Sequence, residues 1–158
     1  MKLFRLIAPL LAALLLLSAC GGGSSGKSEP VALDALYEEM TAVCPDVEFV
    51  PVPEGRLEKL FGLRSEDCRQ AIVALCGESL RADELWLIEA TDEEAAARAE
   101  ELAAGRLEQR KAETENYLPD QYAVLCRAEL IRQGRFVALI VSPSAKELAS
   151  LFLEATGG

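Results

Sequence analysis

Cys20 is the residue whose surroundings indicate the clearest chemistry. A basic start and an apolar run over residues 6–17 lead into Leu17-Ser18-Ala19-Cys20. This order is typical of a secretory signal peptide. The last four residues also match the bacterial lipobox, in which the cysteine sulfur is acylated and the cysteine becomes the new N-terminus. We therefore expect residues 1–19 to be a lipoprotein signal peptide and Cys20 to be its lipidation site.

Two other interpretations of this stretch fit less well. A membrane-spanning helix needs about 18 or more apolar residues, whereas this run is shorter, contains Pro9 and ends in Gly-Gly-Gly-Ser-Ser-Gly. An ordinary cleaved signal peptide does not require a cysteine after the cut. Stable anchoring takes two acyl chains, which the diacylglyceryl group on Cys20 supplies. The expected location is the cell membrane, with the chain lipid-anchored (palmitate-type acylation) and facing outside the cytoplasm.

Four further cysteines, Cys44, Cys68, Cys76 and Cys126, form the second group with possible chemistry. An even number in an exported protein permits two disulfides, in one of three pairings that the sequence does not distinguish. Buried free thiols are an equally good interpretation, because cysteine packs as a small apolar residue. No C-x-x-C spacing is present, so metal or thioredoxin-like redox chemistry is weakly supported. We expect no metal site and no cofactor.

The composition bears on several classes of function. The chain has no histidine, the commonest general base and metal ligand. Removing residues 1–19 leaves 14 basic against 26 acidic residues, a net charge near −12. Such a surface repels phosphate backbones, so nucleic acid is not expected as a partner. Nucleophile elbows, phosphate-binding glycine loops and calcium-binding loops are absent from the sequence. We expect no catalytic residues; the alternative is a hydrolase that uses paired carboxylates.

The best candidate for a contact surface consists of Tyr117, Gln121, Tyr122 and the nearby Arg110. Tyrosine and arginine recur at binding hot spots. The competing interpretation, which we favour, is that tyrosines flanking a proline at a helix break pack the corner.

Hydrophobic periodicity indicates the elements that position these residues. Residues 31–44, 54–61, 120–129 and 145–152 follow helical spacing, and the longest predicted helix begins at Thr91. Thr91-x-x-Glu94 and Ser144-x-x-Glu147 match capping boxes. Strands are predicted over 71–76, 84–90, 130–132 and 136–141, and residues 47–53 form an edge or irregular extended segment because of their prolines. Cys126 is expected on the inner side of its helix.

The predicted fold class is α+β, in a single domain over residues 31–158. A largely antiparallel four-stranded sheet is packed by helices on a face. A glycine- and serine-rich linker over residues 20–30, starting with the lipidated cysteine, precedes this domain.

Several stretches resemble a lipoprotein family of Gram-positive bacteria called domain of unknown function 4358. The resemblance is carried by Ala82-Asp83-Glu84, residues 106–111, Tyr117-Leu118-Pro119-Asp120-Gln121-Tyr122 and residues 134–142. It implies a surface lipoprotein and no particular activity. Together with the lipobox, it leads us to expect a membrane-anchored binding or structural protein of the cell envelope, not an enzyme, whose protein or envelope partner is unknown.

Overall fold

The computed structural model describes residues 30–157, which form an α+β domain. The helices are α1 (Leu33–Ala42), α2 (Leu57–Phe61), α3 (Glu93–Thr114), α4 (Pro119–Leu125) and α5 (Ala145–Thr156). The strands are β1 (Phe49–Pro51), β2 (Cys68–Cys76), β3 (Glu84–Ala90), β4 (Glu129–Gln133) and β5 (Phe136–Val141). Two short 3-10 turns, Glu54–Arg56 and Ser65–Asp67, precede α2 and β2. The predicted signal peptide and Cys20 lie outside the described residues.

One antiparallel sheet contains all five of these strands in the order β1-β2-β3-β5-β4. The prediction of four strands is therefore wrong by one. The difference is β1, whose three residues pair with the end of β2, with Phe49 opposite Cys76. Its prolines keep it short and at the edge, as prolines cannot donate to a neighbouring strand. Strand β3 is central, and β5 lies inside the sheet as its apolar residues on both faces require.

Helices cover both faces of the sheet, where a single covered face was expected. Trp86 and Ile88 of β3 pack with α2, α3 and α4, whereas Leu85 and Leu87 pack with α1 and α5. Successive side chains of β3 therefore contribute alternately to two hydrophobic clusters, one on each face of the sheet. This division of side chains on β3 is the one that the sequence predicts.

Helix α3 begins one residue later than the predicted capping box. The side chain of Asp92 accepts a hydrogen bond from the Ala95 amide at 2.8 Å, so Asp92 is the N-cap. The Thr91 hydroxyl instead points to the Asp67 carbonyl at 3.4 Å. The second proposed box is also wrong, since Ser144 makes no side-chain capping bond at α5. The first error is local, because aspartate competes with threonine for the same cap.

The chain enters the domain at the end of the sheet marked by Gln70. The Gln70 side chain donates to the Val31 carbonyl at 2.8 Å and accepts from the Leu33 amide at 3.1 Å. It also donates to Glu89, near the end of β3, at 2.7 Å. We call this the Gln70 end. The opposite end, where β2 ends, β3 begins and β5 ends, is called the Asp83 end.

Among residues 30–157, no helix has the length and apolar character needed to cross a bilayer.

Candidate functional site

The Asp83 end brings together the separate stretches that carry the family resemblance. Asp83 and Glu84 begin β3, and Arg106 of α3 binds Glu84. Gln121 of α4 accepts a hydrogen bond from the Ala82 amide at 2.8 Å. Ser142 follows β5, and the pairing of Glu84 with Val141 places it beside Asp83. Residues far apart in the sequence therefore meet at one end of the sheet.

Glu84 is buried on the face covered by α3 and is fully engaged. One carboxylate oxygen accepts from the Trp86 indole at 2.7 Å, and the Arg106 guanidinium donates to both oxygens at 3.0–3.2 Å. The Arg106 guanidinium also lies 5.5 Å from the centre of the Phe61 ring, which meets Trp86 edge to face at 5.1 Å. Such a bidentate, stacked ion pair fixes the start of β3 against α2 and α3.

Asp83 is equally buried but less completely bound. Arg81 donates to the Oδ2 of Asp83 at 3.0 Å and also to the Asp46 carbonyl at 3.1 Å. The hydrogen bond to the Asp83 carboxylate raises the pKa of Arg81. The other oxygen, Oδ1, has no hydrogen-bond partner among the residues that the structure describes. A buried polar atom without a partner is uncommon in folded proteins. Asp83 is therefore the least satisfied group of this end.

The side chains of Ser142 and Cys44 lie on the same face of the sheet as Asp83. The Ser142 hydroxyl is buried, lies 3.7 Å from the Cys44 sulfur and accepts from the Ser144 amide at 3.2 Å. They join the end of β5 to the end of α1.

Asp83 and Glu84 do not form the pair of carboxylates that the hydrolase alternative requires. Successive strand residues point to opposite faces, and their arginine partners lie on different sides of the sheet. Glycoside hydrolysis needs both carboxyl groups to reach one substrate. These two acids instead organise two separate sides of the same end.

The predicted contact surface divides between exposed and structural roles. Tyr117 is 83% exposed, whereas Gln121 holds the Ala82 amide. Arg110 lies 3.4 Å from Glu113, and its Nε is buried without a partner in the described part of the chain. Tyr122 is half-buried, and hydrogen bonding with Cys126 is the main cause of its raised pKa. Hydrogen bonds do not join these four side chains to each other within residues 30–157.

All four described cysteines are free thiols in the structure. Cys44 is buried, Cys68 and Cys76 are half-buried, and Cys126 is exposed, although it was expected to face inward. Cys68 and Cys76 are the first and last residues of β2, roughly 26 Å apart at the rise of a strand. A disulfide between them is therefore impossible, which removes one of the three pairings.

Cys68 borders a cavity of about 250 Å³ together with Leu57, Glu58 and Arg64. Burial is the main cause that raises the pKa of this thiol, and the charges of Asp67 and Glu54 add to it. A protonated thiol is a weak nucleophile and a weak metal ligand. Within residues 30–157, His, Cys, Asp and Glu side chains form no group of three or more that is arranged to hold a metal ion.

Sequence reasoning did not identify the buried ion pairs. It associated Asp83, Glu84 and Arg106 only with the family resemblance. The available signal was two acids immediately before an apolar strand, because one of them had to face inward and needed a partner.

Comparison with known proteins gives one match. The family model described as domain of unknown function (DUF4358) matches residues 48–142. Searches of curated proteins and of solved structures found no match. The matched region is more than half of the chain and runs from just before β1 to Ser142, so it contains the sheet, α2, α3, α4 and the Asp83 end. The chain belongs to this family of unknown function.

Proposed function

We propose that this protein is a lipid-anchored lipoprotein of the cell envelope whose domain binds or organises another envelope component outside the cytoplasm. The lipobox at Cys20 and the glycine- and serine-rich linker support the anchor. The location of the Asp83 end supports the binding role.

The observation that carries the proposal is the separation of the two ends of the sheet. The chain enters the domain beside Gln70 and Glu89, whereas the stretches shared with the family meet around Glu84. Glu84 and Glu89 are five positions apart along strand β3, roughly 17 Å at the rise of a strand. The first described residues therefore lie at the opposite end of the sheet from the Asp83 end, which we propose as the end that meets a partner.

The intact mass of the protein purified from the membranes of its own host tests the anchor. We expect the wild-type chain to begin at Cys20 and to carry a diacylglyceryl group. We expect the Cys20→Ser variant to keep residues 1–19. An unmodified or uncleaved wild-type chain would refute the proposal.

The same spectra, recorded with and without reductant and alkylation, count the free thiols. Four are expected from the structure.

A further inference from the structure

Large exposed apolar side chains concentrate at the Asp83 end. Of the four in residues 30–157, Val50, Leu80 and Tyr117 are 46%, 70% and 83% exposed. Val50 lies against Gly77, where the loop between β2 and β3 begins, and Leu80 belongs to that loop. Tyr117 precedes α4, whose Gln121 binds the same loop at Ala82. We call these three residues the Leu80 surface.

The fourth exposed apolar side chain, Leu60, lies elsewhere. It belongs to α2, whose Leu57 and Glu58 border a cavity beside Cys68 and Ala71 in the first half of β2. Leu60 therefore provides a matched control, because it is as exposed as Val50 but outside the Leu80 surface.

Exposed acidic side chains lie on the loops and helix ends that carry or adjoin the Leu80 surface, and we call them the acidic rim. The exposed acids on the adjoining loops and helix ends are Asp46, Glu48, Glu78, Glu115 and Asp120. Three arginines lie near this end: Arg81 binds Asp83 and is 4.0 Å from Glu78, Arg110 lies beside Glu113, and Arg127 donates to the Ala123 carbonyl. Within residues 30–157, Asp46, Glu48, Glu115 and Asp120 form no ion pair, so the surface combines apolar side chains with an excess of negative charge.

We infer that the Leu80 surface binds a basic, amphipathic polypeptide segment of another envelope protein. This inference rests on the binding role proposed above and names the class of its partner. Leu80 and Tyr117 supply exposed apolar contacts, and the acidic rim attracts lysine and arginine. A second copy of this chain is a poor occupant, because two surfaces with the same acidic rim repel each other. Anionic lipid is disfavoured for the same reason.

Binding of two synthetic peptides tests the inference. Both have the same length and leucine positions, but their polar positions carry lysine in one and glutamate in the other. The lipidated full chain is held in nanodiscs of zwitterionic lipid, with empty nanodiscs as the blank. We expect the lysine peptide alone to bind, and its affinity to fall at least tenfold between about 50 and about 500 mM salt, since salt screens exposed charges.

Substitutions then locate the bound peptide. Leu80→Ser combined with Tyr117→Ser should weaken binding of the lysine peptide at least tenfold, whereas Leu60→Ser should leave it unchanged. All three residues are exposed, so the unfolding midpoints should match that of the wild type. Equal binding of both peptides, an unaffected double variant, or an equal loss in Leu60→Ser contradicts the inference, as does equal binding to empty nanodiscs.

The result of the peptide titration does not depend on whether Cys20 carries a lipid. If the intact mass shows no lipid on Cys20, the proposed lipoprotein role fails, and the same titration is made with the unmodified chain in solution. Loss of binding in the double variant would still support the docking surface.

Discussion

Asp83 and Glu84 are neighbours in the sequence, but their side chains lie on opposite faces of the sheet and meet different surroundings. Glu84 accepts hydrogen bonds from Trp86 and from both arms of Arg106. Asp83 receives one guanidinium bond, and its Oδ1 has no partner in the described part of the chain. Arg106 is stacked on Phe61, whereas Arg81 lies in a loop. At the Asp83 end, the face that carries Glu84 is therefore held by more hydrogen bonds than the face that carries Asp83.

The largest effect is expected from Glu84→Ala. The substitution leaves the Arg106 guanidinium and the Trp86 indole without their acceptor in a buried place. Breaking a buried pair in this way costs about 3–5 kcal/mol, a large part of the stability of an ordinary domain. Urea denaturation measures the loss. Glu108→Ala is the control, because its exposed pair with Lys111 should contribute about 0.5 kcal/mol or less.

Asp83→Ala should cost less, about 1–3 kcal/mol. Arg81 keeps its bond to the Asp46 carbonyl and is partly open to water, and the substitution also removes the unpartnered Oδ1. The same denaturation series gives the value. A loss equal to that of Glu84→Ala would show that the two carboxylates are equally bound, contrary to the comparison.

Gln121→Ala should destabilise the domain by about 1 kcal/mol, because the buried Ala82 amide loses its acceptor. Hydrogen exchange at the Ala82 amide should become faster while exchange within β5 stays slow. Within the part of the chain that the structure describes, the Gln109 side chain bonds only to Glu113 on the exposed side of α3, so Gln109→Ala should change neither quantity. Unchanged exchange at Ala82 in the Gln121 variant would contradict the link between the loop and α4.

The smallest effect concerns the surface ion pairs that the half-buried Asp67 makes with the exposed Arg64 and Arg98. Hydrogen bonds from Arg98 and Arg64 hold the pKa of Asp67 below its ordinary value of 3.8. The folded state therefore gains stability from this group above that ordinary pKa and loses it as the pH falls toward the lowered one. Asp67→Asn should reduce the urea midpoint slightly at pH 7. The gap from the wild type should narrow near pH 3, and a gap that widens there would contradict this account.

The sequence predicted the elements with strong periodicity and missed what depends on contacts between distant residues. The bounds of β3 and the division of Trp86 and Leu85 between two faces follow directly from alternation. The fifth strand was missed because two prolines obscure β1, whose pairing with the end of β2 is visible only in the folded chain. The choice of Asp92 over Thr91 as the cap is a local competition between two good capping residues.

The candidate site was predictable only in its outline. The stretches that resemble the family were identified from the sequence, but their meeting at one end of the sheet depends on the strand order. The Arg106 partner of Glu84 is set by the packing of α3 on β3, which local patterns do not encode. Arg81, the partner of Asp83, lies two residues away, but its bond to the Asp46 carbonyl appears only in the folded chain. Cys126 was expected to face inward because helical spacing continued to residue 129, whereas α4 ends at Leu125 and the cysteine turns outward.

Labelling of Cys126 in intact cells tests the proposed location most directly. Cys126 is exposed and Cys44 is buried, so a maleimide that crosses the cell wall but not the cytoplasmic membrane should modify Cys126 first. A Cys126→Ser variant should lose this rapid labelling. The account predicts the same extent of rapid labelling before and after the cells are lysed. Labelling of Cys126 only after lysis would place the domain in the cytoplasm and contradict the proposed envelope role.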